Sequence, residues 1–170
     1  MYKKGYIFLG ALGIVLLAGF FVPAFAQTVV DNKNWAELMA KIMLGLGLSL
    51  GLAGSAIGLS YGFQALLGGG EENFYKNIPV ALLPSTQGIY AMVVLFANMD
   101  KIESAPFTVA GAGAIIGFAC LFSGWYQGIV CAAGIRSILE GKNTLANSLV
   151  AGAMPETYAV FALVMTFIMK

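Results

Sequence analysis

Charged residues are nearly absent from four long stretches of this chain, and no other feature constrains its fold as strongly. Positions 42–70, 78–99 and 105–135 carry no charge, and 143–169 carry only Glu156. About 20 apolar residues cross the hydrocarbon core of a bilayer as a helix, so each stretch is long enough to span. The runs are continuous rather than alternating in ten-residue segments, which argues against a membrane β-barrel. With 59% hydrophobic and 10% charged residues in 170, and a mean hydropathy of +0.85, the chain lacks the charge to wet a soluble surface. The fold class is therefore an all-α membrane protein. Its four transmembrane helices make two antiparallel hairpins in series, 36–99 and 105–170.

Composition also narrows the chemistry. The net charge is +1 with no basic stripe, so nucleic acid is not a partner. Histidine is absent, which removes His-based metal sites and a His general base. GGGEEN (68–73) lacks the Lys-Ser/Thr of a phosphate loop, and no nucleophile lies beside a base, so an enzyme is the weakest class. Cys120 and Cys131 sit in an apolar run and read as small packing residues, too few for a disulfide framework.

Residues 1–26 carry Lys3 and Lys4, an apolar run, and Ala24-Phe25-Ala26 before Gln27. That is a signal-peptide pattern, although the run is also long enough to be a retained extra helix. In both cases the chain after Gln27 starts outside. The polar breaks are GGGEENFYKN (68–77), NMDKIESAP (98–106) and RSILEGKN (136–143). The first and third then face the cytoplasm, in weak agreement with a positive-inside bias.

The two hairpins resemble each other. Aligning Pro84 with Pro155 superposes Thr86 on Thr157, Ala91 on Ala162 and Phe96 on Phe167. Glu156 then falls opposite Ser85, leaving one carboxylate for two hairpins. The helix before each of these carries a row of glycines, three or four apart from Gly47 to Gly62 and four or seven apart from Gly113 to Gly128. Small residues at this spacing let helix backbones approach closely in lipid. This suits ordinary bundle packing, and equally the crowded inner wall of a ring.

At about 1.5 Å per residue, Glu156 lies roughly 20 Å from either end of its span. A charge near the bilayer centre costs at least about 2.5–3.5 kcal/mol, and an ionisable group there marks an ion or proton site by default. Antiparallel helices bring residues equidistant from the turn to one level. The midpoint of Gln127 and Glu156 falls between Gly141 and Lys142, and that of Thr86 and Gln127 beside Pro106. The three polar residues therefore share a depth. This spacing also predicts a second helix running on towards Glu103. Thr86 and Tyr90 form an i,i+4 pair, as do Leu83 and Gln87. Leu83 offers a backbone carbonyl where Pro84 disturbs the helix ladder. A proton needs only the carboxylate, whereas a small hard cation needs several oxygens. The amides favour Na⁺, with H⁺ as the alternative.

LLPSTQGIY (82–90), FSGWYQG (122–128) and PETYA (155–159) resemble the membrane-rotor proteolipid, the K or c subunit, of bacterial and archaeal V-type ATPases. The resemblance covers nearly all of the chain after about residue 40. It implies a homo-oligomeric ring of double-hairpin subunits in the cell membrane, surrounded by lipid. The ring turns against a stator subunit that supplies an arginine, and central-stalk subunits meet its cytoplasmic loops. It further implies that Glu156 is the essential carboxylate, with Leu83, Thr86, Gln87 and Gln127 as the remaining Na⁺ ligands and Tyr90 closing the site. The sequence departs from the family pattern in Ser85, where Gly is common, in Pro155 before the acid, and in the signal-like N-terminus. The rival readings are a passive pore or structural proteolipid without an ATPase, and a small secondary transporter with its site at a repeat interface.

Overall fold

A computed structural model describes residues 35–169. The signal-like segment 1–26 lies outside the described residues. Residues 39–170 form one compact unit, and of the other, 1–38, only the start of the first helix is described. The elements are α1 (Trp35–Leu67), α2 (Glu71–Leu82), α3 (Thr86–Asn98), α4 (Pro106–Leu139), α5 (Leu145–Ala153) and α6 (Glu156–Ile168). α2 and α3 are joined through a 3₁₀ turn at Leu83–Ser85, and together they make the second span. α5 and α6 make the fourth, with a break at Met154–Pro155. Among the described residues, four helical segments are thus long and apolar enough to cross a bilayer.

The polar breaks are shorter in the structure than the sequence suggests. Helix α2 starts at Glu71, so most of GGGEENFYKN is its first turns and only Gly68–Gly70 connects. Gly70 takes φ 75°, a left-handed value that stops one helix and starts the next. Asn73 and Asn77 then donate to the carbonyls of Gly69 and Asn73, at 3.2 and 3.0 Å, and satisfy polar groups along the new helix. Helix α4 runs through RSIL to Leu139 and ends at Gly141, φ 71°. Gly141 N–H donates to Ile138 and Lys142 N–H to Ser137, both 2.9 Å, the paired bonds of a Schellman cap. Thr144 caps α5 by accepting from the Asn147 N–H at 3.3 Å. The second span continues past Asn98 through a 3₁₀ turn to Lys101, two residues short of Glu103.

The glycine rows explain how the spans are arranged. Gly47 meets Gly113 and Gly117, Gly54 meets Cys120, Leu121 and Gly124, and Gly58 meets Gly124 and Gly128, all through backbone. The pairs advance together, so α1 and α4 run parallel in backbone contact along a seam with no room for a Cβ. In lipid, helix association rests on such close van der Waals packing rather than on apolar burial. Helix α4 packs in turn against α3, α5 and α6.

The core forms three layers. Ala40, Leu44 and Val109 close one end. Ala91, Val94, Ile116, Cys120 and Ala159 fill the middle. Leu66, Val80, Cys131 and Ile135 close the other end. Both cysteines are buried packing groups. The outward faces carry Phe96, Phe118, Phe122, Phe161 and Met165, all more than a third exposed, as a surface facing lipid or neighbouring helices does. Between the middle and end layers lies a polar level.

Candidate ion-binding site

Two prolines at equivalent repeat positions break two helices at this level. Proline has no N–H to donate into the helix ladder. Around Pro84 the Leu83 carbonyl accepts from the Thr86 N–H and from the Thr86 hydroxyl, the latter at 3.3 Å. Around Pro155 the Met154 carbonyl accepts from the Thr157 N–H at 3.3 Å and its hydroxyl at 2.7 Å. The internal repeat therefore extends to individual hydrogen bonds. It parts at one position: Ser85 turns its hydroxyl back to Leu82, 2.8 Å away, while Glu156 reaches across the bundle.

Glu156 stands in the middle of the 24-residue fourth span. Its carboxylate accepts from the Tyr90 hydroxyl at 2.5 Å and from Gln127 Nε2 at 3.3 Å. Gln127 Nε2 also donates to the Gly152 carbonyl at 2.9 Å, and its Oε1 accepts from Gln87 Nε2 at 2.5 Å. Gln87 Nε2 donates as well to Ser123 Oγ at 3.2 Å, and Ser123 donates to the Pro155 carbonyl at 2.8 Å. Gln87 and Gln127 are fully buried. Gln87 Oε1 is buried with no hydrogen-bond partner among the described residues. The outward side of Glu156 opens on a pocket of about 270 Å³ lined by Ala153, Thr157, Val160 and Phe161.

The structure thus brings Glu156, Tyr90, Gln127 and Gln87 into one network, with Thr86 and the Leu83 carbonyl one turn away on the same span. The antiparallel count that levels Gln127 with Glu156 matches their contact. One detail differs from the sequence expectation: Gln127 meets Glu156 through its amide nitrogen, because its oxygen is committed to Gln87. Sequence reasoning missed Ser123 and the Gly152 carbonyl. Ser123 lies one helical turn before Gln127 on the same face of α4, and that i,i+4 spacing was the available signal.

The donor chemistry fits a monovalent hard cation. An unpaired buried amide oxygen costs about 1–3 kcal/mol unless something satisfies it, and a cation does. Among the described residues no three of His, Cys, Asp and Glu gather to hold a metal. A single carboxylate balances one positive charge, the network around it also holds the neutral oxygens of Tyr90, Gln127 and Gln87, and oxygen ligands suit alkali and alkaline-earth ions rather than softer metals.

Among the described residues, four spans and a mid-bundle carboxylate in a polar network mark a multi-pass membrane proteolipid. The family model for the ATP synthase C subunit matches residues 110–169, the hairpin that carries Glu156. The A-type ATP synthase subunit K of Methanocaldococcus jannaschii is 38% identical, over 89% of this chain and 70% of that protein. The V-type sodium ATPase subunit K of Enterococcus hirae is 32% identical, over 79% of this chain and 86% of that protein. The chain belongs to the subunit K family of V-type and A-type ATPases, whose members are membrane subunits and not catalysts on their own.

Proposed function

We propose that this chain is the ion-carrying subunit of a rotor ring in a V/A-type ATPase or ATP synthase of the cell membrane, and that its cargo is Na⁺. The observation that carries the reading is the buried, unpaired Gln87 Oε1 in the same network as Glu156. A proton on Glu156 would leave that oxygen unused.

Glu156 supplies the negative charge and Gln87 Oε1 a neutral ligand. Thr86 and the Leu83 carbonyl join when the Thr86 hydroxyl, now bound to that carbonyl, turns to the ion. Gln127 holds the carboxylate through its N–H, and becomes a ligand itself if its amide turns over and gives up both Gly152 and Gln87. Tyr90 closes the outward side. An occupied site is locally neutral and tolerates lipid. An emptied Glu156 is anionic and is stable only opposite a stator arginine or an aqueous half-channel. Release is thereby coupled to ring rotation, with central-stalk subunits at the cytoplasmic turns carrying torque. Each charge crossing 100 mV is worth about 2.3 kcal/mol, so several crossings accumulate per ATP.

A hydrophobic carbodiimide applied to membranes with and without Na⁺ tests the cargo. Labelling of Glu156 that Na⁺ blocks supports this reading. Labelling that Na⁺ leaves untouched at every pH replaces it with a proton site.

A further inference from the structure

Gln87 can serve a cation only if its amide oxygen, not its NH₂, points to the ion. That orientation is not intrinsic to a glutamine; the hydrogen-bond network has to impose it. Two groups face Gln87 Nε2: Gln127 Oε1 at 2.5 Å and Ser123 Oγ at 3.2 Å. They differ in what else they touch. Gln127 also donates to Glu156, so its orientation is tied to whatever Glu156 binds. Among the described residues Ser123 is hydrogen-bonded to Gln87 and Pro155 and not to Glu156 or Tyr90. Its single proton is committed to the Pro155 carbonyl at 2.8 Å, a group that can only accept. The hydroxyl therefore has only lone pairs left for Gln87, and it draws the NH₂ whether or not the carboxylate is occupied.

We propose that Ser123 is a positioning residue for sodium selectivity: it fixes the Gln87 amide with its oxygen towards the ion and ties that amide to the helix break beside Glu156. The inference rests on the sodium reading above. Ser123 is buried in α4 and bridges α3 to the fourth span through two bonds, so one side chain couples the ligand on one span to the carboxylate on the other. Residues behind a metal's direct ligands that orient them typically change affinity about 10–100-fold when lost. A proton needs no orientation of Gln87, so proton binding is indifferent to Ser123. Selectivity follows from that difference.

The test compares Ser123→Ala, Ser123→Cys and Ser123→Thr with wild type in native membranes, by carbodiimide labelling of Glu156. Each is titrated with NaCl at fixed pH, and with pH in sodium-free buffer. Ser123→Ala is expected to raise the half-protecting Na⁺ concentration about tenfold or more, with its sodium-free pH profile unchanged. Ser123→Cys, close in size but a poor hydrogen-bonding partner, behaves like Ala and serves if the Ala subunit fails to assemble. Ser123→Thr keeps the hydroxyl, at a position that borders the groove between α4 and the fourth span, and is expected to restore protection. Wild-type sodium protection in Ala or Cys overturns the proposal, as does a pH profile that shifts in parallel with it. Wild-type labelling that Na⁺ never protects is a different failure: it removes the sodium reading and this inference with it.

Discussion

The Tyr90 hydroxyl donates to Glu156 Oε1 at 2.5 Å, joining the second span to the fourth across 66 positions of sequence. Both side chains are only half-buried, and Glu156 borders the outward pocket, so this bond stands between the buried amides and the surface of the bundle. In the proposed function it is the contact that opens for an ion to leave. Tyr90→Phe keeps the ring and removes only the donor. Hydrogen bonds to charged groups contribute about 1.5–3 kcal/mol, so Na⁺ binding should weaken at least tenfold while subunit levels hold. Sodium protection of carbodiimide labelling measures it.

The glycine seam makes a prediction about assembly. A Cβ on Gly124 would lie 2.7 Å from the Gly54 backbone, which cannot step aside as a flexible side chain can. A Cβ on Gly68 would meet nothing closer than the Ala65 carbonyl at 3.4 Å. Overpacking typically costs about 1–3 kcal/mol. Gly124→Ala should therefore lower the amount of assembled protein in the membrane, and Gly68→Ala should not. Blotting of purified membranes compares the two.

Ligand binding to the folded state stabilises it by mass action, about 2.7 kcal/mol at a hundredfold excess over the dissociation constant. The detergent-solubilised protein should melt at a higher temperature in NaCl than in choline chloride at equal ionic strength. Glu156→Gln should abolish the difference, because a neutral amide cannot balance the ion's charge. Tryptophan fluorescence on heating reads both.

Cys120 and Cys131 are fully buried, and Cys131 packs at Gly152 beside the site. Neither should react with a maleimide in native membranes, and both should react after denaturation. Mass spectrometry of the alkylated chain gives the count at each position.

Much of the fold is legible in the order of residues alone. Charge-free runs fix the spans because a charged group in hydrocarbon is costly whatever the tertiary fold. The level of Gln127 with Glu156 follows from helical rise and one turn. The pairing of Pro84 with Pro155 extends to the Thr86 and Thr157 bonds because the shared Pro-x-Thr solves the same broken ladder in the same way. Other features depend on contacts that no single helix encodes. Which glycine row faces which, Gly54 against Gly124, requires the two helices side by side. The break at 68–77 reads as a loop because its polar residues outnumber apolar ones, yet Asn73 and Asn77 satisfy themselves within α2. The amide directions of Gln87 and Gln127 depend on the single proton of Ser123 and on the Gly152 carbonyl, three spans acting together.

In the proposed function Glu156 carries sodium through the membrane in step with ATP turnover. ATP-driven uptake of radioactive sodium into inside-out vesicles, with a protonophore present, tests it most directly. Wild type is expected to show uptake that the protonophore does not collapse, and Glu156→Gln assembled at equal level none above background. Sodium uptake by the Glu156→Gln complex, or wild-type uptake that vanishes with the protonophore, would contradict it.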